Sequence, residues 1–189
     1  MIKGILLGLA LALLAALAAG YILVRSGSIP ANADATPGKL ETWMASTSLD
    51  ATLRHMAPTT PNPVAETDQN LSEGVGLFAQ NCAVCHGSAK GSESASPIAK
   101  GLYQKPPQFG TDGVEDDPEG NSFWKIKHGI RLTAMPSFAK TLDDRQIWTI
   151  ALFLKHMDKL PPAAQAKWEG VQNWPPDVPG SNAPAPKTP

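Results

Sequence analysis

The chain has 189 residues, 42% of them hydrophobic, which suits one domain of ordinary size with extensions. Its formal net charge is −1, from 16 Lys and Arg against 17 Asp and Glu. That balance argues against a nucleic-acid partner, whose phosphates call for a basic face that displaces counterions.

In chain order, the first element is an apolar run. Ile5 to Val24, ILLGLALALLAALAAGYILV, holds no charged residue, and at 1.5 Å rise per residue it spans a hydrocarbon layer of roughly 30 Å. A cleaved signal peptide is the competing reading: Lys3 supplies a positive start, and Ala31-Asn32-Ala33 or Ala33-Asp34-Ala35 offers small residues for cleavage. The run exceeds the usual signal core of about 7–15 residues, and Arg25 follows where an anchor meets the interface. Residues 1–25 are expected to be a transmembrane anchor.

Residues 26–69 read as a linker with one or two peripheral helices. Ser26 to Thr36 is small and polar and serves as a tether. Thr36-Pro37 has the form of a helix start. Leu40, Trp43, Met44, Leu49, Leu53 and Met56 then recur at helical spacing until Pro58, Pro61 and Pro63 break the pattern.

The main domain is expected over residues 70–160. Leu71, Val75 and Phe78 share a helical face leading into the segment NCAVCHG, residues 81–87. Residues 87–118 are rich in Gly and Pro and read as loops with one short helix. A loop of that length argues against a compact domain unless something other than protein fills the core. A helix of about two turns is expected at Asn121 to Gly129, a loop at Ile130 to Ala139, and the strongest helix at Asp143 to Lys159. In the last, Ile147, Ile150, Ala151 and Leu154 form an apolar face, and Asp143 and Asp144 suit the positive helix start. Residues 161–189 are expected to hold a weak helix reaching Trp168 and then a proline-rich, disordered tail.

The two cysteines of the chain, Cys82 and Cys85, stand three apart with His86 directly behind. A structural zinc site wants four ligands, and only His55, His128 and His156 remain to complete one. A thioredoxin-type dithiol would follow a strand, and none is legible here. Covalent haem attachment fits the spacing: one helical turn presents both sulfurs to the porphyrin edge, and the next residue brings an imidazole beneath the iron. Haem would also supply the missing core of the loop region. Because such thiols are reduced and ligated outside the bacterial cytoplasm, the cysteine-bearing part is expected in the periplasm, anchored to the inner membrane.

A second axial ligand is expected to be Met135, in the loop Thr133-Ala134-Met135-Pro136-Ser137-Phe138, where the proline stiffens the chain and a thioether can be aimed at iron. Met157 continues an apolar helical face and reads as core, while Met44 and Met56 lie on the peripheral helix. His128, the nearest imidazole rival, sits at a helix end where a cation suits the dipole.

These residues give the chain a resemblance to the small mono-haem c-type cytochromes with histidine and methionine ligands. It is similar in particular to the membrane-anchored bacterial ones that resemble cytochrome subunits of haem-copper oxidases. The likeness covers about Leu49 to Leu160 and rests on CAVCHG, SPIAKGLYQKPPQF, FWKIKHGIRLTAMPSF and DDRQIWTIALFLK. It implies an all-α fold of three to five helices around one covalently bound haem c, preceded by the transmembrane helix. It further implies that Gly74 and Phe78 cross the last helix near Ile150, Phe153 and Leu154, and that Pro97 supplies the carbonyl that holds the His86 ring.

The expected function is electron transfer between donor and acceptor proteins, with no catalysis by the chain itself. Alternatives are a cytochrome subunit of a membrane oxidase or dehydrogenase, and a haem sensor or peroxidase-like protein whose methionine leaves. Ser26 to Thr36 and Glu66 to Asn70 are expected to act as flexible segments. Glu115, Asp116, Asp117 and Glu119 read as a solvated loop in preference to a cation site. Lys125, Lys127 and Arg131 read equally as a solvated face or as a lure for an acidic partner.

Overall fold

A computed structural model describes residues 2–91 and 95–172. Helix α1, Ile2–Arg25, belongs to a first unit that ends at Ala35; a second unit begins at Thr36. With a mean hydropathy of 2.5, α1 is the one helix among the described residues long and apolar enough to cross a membrane.

The second unit opens with α2, Lys39–Met56. It is one helix of 18 residues, and it starts later than Thr36-Pro37 suggests. Gly38 is its N-cap, and its carbonyl accepts both the backbone N–H and the hydroxyl of Thr42, at 2.9 and 3.1 Å. Only Leu53 of this helix is buried, while Leu40, Trp43, Met44 and Met56 are exposed.

Helix α3, Asp68–Asn81, starts where the Thr67 hydroxyl accepts the N–H of Asn70 at 3.2 Å. The flexible hinge expected at Glu66–Asn70 is instead tied down. Asn70 donates to Ala65 O at 2.8 Å, Asn62 donates to Glu119 and to Trp148 O, and Val64 is buried. Backbone polar groups with such partners gain little by swinging free.

Short helices α4, Ala83–His86, and α5, Pro97–Gly101, interrupt the loops before α6, Glu119–His128. Helix α7, Asp144–Lys155, begins with a capping box in which Asp143 and Gln146 each bond the other's backbone N–H. It ends four residues short of Lys159, because His156 leaves helical geometry and the following turn brings Met157 back against the core. Its whole circumference from Ile147 to Leu154 is buried, since α3 packs on one side and α6 on another. Helix α8, Pro162–Glu169, adds Ala164 and Trp168.

The second unit is thus an all-helical domain with α7 at its centre. Gly74 makes the α3–α7 crossing possible: a Cβ there would lie 2.6 Å from Thr149 O and 2.7 Å from Phe153 Cβ. Next to it, Phe78 and Phe153 are fully buried and meet each other and Trp168 edge to face at 5.3–5.5 Å. Each such ring contributes roughly 1.5–3 kcal/mol by burial alone. The tail expected to be disordered lies, from residue 173 on, outside the described residues.

Candidate functional site

Cys82, Cys85 and His86 share one turn. Cys82 leaves α3 at φ −120°, and its carbonyl then accepts the N–H groups of Cys85 and His86 at 3.0 and 2.9 Å. Both cysteines are free and half-buried. Burial, with the neighbouring Cys85 adding to it, pushes the Cys82 thiol up to about 12, and burial raises Cys85 as well. A working redox dithiol needs the opposite, an environment that favours thiolate.

The His86 ring is held through Nδ1, 3.0 Å from Pro107 O. A carbonyl only accepts, so Nδ1 carries the hydrogen and Nε2 keeps its lone pair. Burial lowers the pKa of this imidazole against the opposing effect of the Pro107 bond, which favours the neutral ring that a metal requires. The carbonyl expected from Pro97 therefore comes from Pro107. Pro97 is the first residue of α5, where a carbonyl joins the helix's own ladder, and the preceding Ser96 is occupied with Val84 O and the N–H of Ala99.

Residues 107–109 grip the cysteine turn at two further points. The Gln108 side-chain amide donates to Cys85 O at 2.9 Å, and Phe109 N donates to His86 O at 3.0 Å. In the sequence this clip shows only as Pro106-Pro107 ahead of an aromatic within SPIAKGLYQKPPQF.

Met135 lies half-buried at the edge of the core that Cys82 also borders. Its loop folds back on the end of α6: Ile130 N donates to Met135 O at 3.1 Å, Phe138 N to Ile126 O at 3.1 Å, and the Ser137 hydroxyl to Lys127 O at 2.7 Å. Gly129 permits this, at φ +69°, with Pro136 C only 2.6 Å from where a Cβ would stand. At the loop's tip Leu132 takes φ +64° and is 88% exposed.

Met157 is buried in the core, and Met44 and Met56 are exposed on α2. His128 is exposed beside Trp124. In the acidic loop Lys155 donates to Glu115 O and Asp117 O, and Lys125 pairs with Asp117 at 2.9 Å. No group of three or more possible metal-holding side chains occurs among the described residues. Lys127 is paired with Asp144, so the basic face near the methionine loop is partly neutralised.

Two free thiols on one turn, a neutral imidazole with Nε2 available and a thioether on a pinned loop form a donor set that fits haem c. Residues 69–154 match the family model described as cytochrome C oxidase, cbb3-type, subunit III. No curated protein matches the chain. In its all-helical fold and in this match the segment is similar to a c-type cytochrome domain. Its particular likeness is to the third subunit of cbb3-type oxidases, over a span that includes the cysteine turn, the 107–109 clip and Met135.

Proposed function

We propose that this chain is a membrane-anchored mono-haem c-type cytochrome that passes electrons between protein partners on the periplasmic side of a bacterial inner membrane. Cys82 and Cys85 would hold the haem covalently, and His86 and Met135 would be its axial ligands. The haem supplies a one-electron ferrous/ferric couple when bound. The observation that carries the reading is the His86 ring on the cysteine turn, fixed by Pro107 in the tautomer that leaves Nε2 available. With two side chains of the protein as ligands, no open position is left for a substrate, which favours a carrier over a sensor or peroxidase-like role. α1 supplies the anchor, and residues 26–38 the tether.

The likeness to an oxidase subunit supports a second reading, in which the domain delivers electrons within a membrane complex. Copurification from solubilised membranes separates a subunit from a free carrier. The primary test is haem staining after denaturing electrophoresis: the parent is expected to stain, and Cys82→Ser with Cys85→Ser to abolish the stain. For the sixth position, Met135→Ala is expected to keep the stain, lose the red-edge absorption band of thioether-bound ferric haem, and gain carbon monoxide binding in the ferrous form. Persistence of that band in Met135→Ala would assign the ligand elsewhere.

A further inference from the structure

The Pro107 hydrogen bond fixes where the His86 ring sits and which tautomer it holds, but one bond leaves the ring free to rock about the Nδ1–O direction. A second contact removes that freedom. The Phe109 ring lies parallel to the imidazole, with centroids 4.6 Å apart and an interplanar angle of 5°. The backbone bond from Phe109 N to His86 O brings the two residues side by side, so the stack is built into the clip.

Phe109 is itself braced. It tilts against Phe78 at 5.9 Å, and Phe78 is locked edge to face by Phe153 and Trp168. The imidazole plane is thereby referenced, through one ring, to the joint core of α3, α7 and α8. Gln108 fastens the same stretch, its side-chain amide donating to the Cys85 carbonyl and to Pro106 O.

We propose that Phe109 is a positioning residue for the axial histidine: its face sets the orientation of the His86 plane and so keeps the Nδ1–H on the Pro107 carbonyl. The proposal rests on the haem c reading above. Orientation matters because the axial imidazole's plane decides how its orbitals meet those of the iron, and hydrogen bonding at Nδ1 decides its basicity.

The test uses the full-length holoprotein with Phe109→Leu and Phe109→Tyr. Phe109→Tyr keeps the aromatic face that stacks on His86. Phe109→Leu is expected to retain stained haem and the thioether band, yet to shift and broaden the largest g value of the ferric form. Exchange of the His86 Nδ1–H with solvent, followed by NMR in the ferrous form, should quicken roughly threefold to tenfold, the range a stacked ring pair is worth. Phe109→Tyr should restore both readouts. Should Phe109→Leu fail to accumulate, Phe109→Met carries the same expectation. Parent-like g values and exchange in the aliphatic variants overturn the proposal, as does a tyrosine variant as disturbed as they are. A parent without covalent haem overturns the underlying reading instead.

Discussion

The α3–α7 crossing and the loops around Cys82, His86 and Met135 are held by different forces. At the crossing, Gly74 lets two backbones approach and Phe78, Phe153 and Ile150 fill the space with fully buried apolar surface. Around Cys82, His86 and Met135 the chain is instead fastened by a few directional contacts, among them Pro107 O and the Phe109 ring on His86, Gln108 on Cys85, and Ile130 on Met135. The crossing fails when volume changes, because close packing tolerates little. The loops fail when one geometric contact is lost, with the surrounding helices intact.

Gly74→Leu gives the widest breach of that contrast. A side chain would be driven into Thr149 O and Phe153, which should destabilise the domain by about 3 kcal/mol or more. A large drop in the denaturation midpoint of the holoprotein checks it, and a midpoint near the parent's would show that α3 and α7 do not cross closely.

Gly129→Ala sharpens the other side. At φ +69° and ψ −176° Gly129 holds a conformation that strains a residue with a Cβ by about 1–3 kcal/mol, and here that Cβ would also meet the backbone of Met135 and Pro136. The expected result is weakened red-edge absorption and greater carbon monoxide binding, with helical circular dichroism unchanged. Loss of helix together with the band would place Gly129 in the core's cooperative unit.

Asp143→Ala removes the hydrogen bond from Gln146 N at 2.8 Å that opens α7. It should lower stability by about 1 kcal/mol while the ligand spectrum stays that of the parent, because the cap belongs to the packed region. Denaturation and absorption measured on the same samples test both halves.

The smallest effect is expected at Arg145, whose guanidinium bonds Glu73 at 2.8 and 3.1 Å and joins α7 to α3. That bond, with the charge attraction, holds the Glu73 carboxyl below its ordinary value of 4.5. A depressed carboxylate stabilises the fold above the unfolded value and ceases to do so as pH falls through the folded one. Arg145→Gln should therefore lie slightly below the parent in denaturation midpoint at neutral pH and converge with it in acid. The pair is well exposed, so solvent screening keeps the difference small; a gap that widens in acid would contradict the assignment.

Covalent spacing and periodicity made much of this protein legible from the chain alone. The apolar run over Ile5 to Val24, the Cys82-Cys85-His86 spacing, and the apolar face of Ile147, Ile150 and Leu154 are local patterns, and each corresponds to an element of the fold. Where α7 stops was less legible, because Met157 returns to the core only in a turn after His156. The segment before α3 reads as a hinge in sequence, yet Asn62 binds Trp148 O, a partner far along the chain.

The same division runs through the site. A motif within five residues points to the thiols and the histidine, since the proposed haem attachment demands a fixed spacing. Which carbonyl meets His86 is a question of distance in space: Pro97 and Pro107 are both prolines in a Gly/Pro-rich loop, and no periodicity distinguishes them. Tertiary structure decided for Pro107, because Phe109 N bonds back to His86 O and brings that proline's carbonyl to the ring while Pro97 is committed to α5. The parallel stack of Phe109 on His86 comes from the same long-range closure, which depends on how two loops meet and so leaves no mark in local sequence.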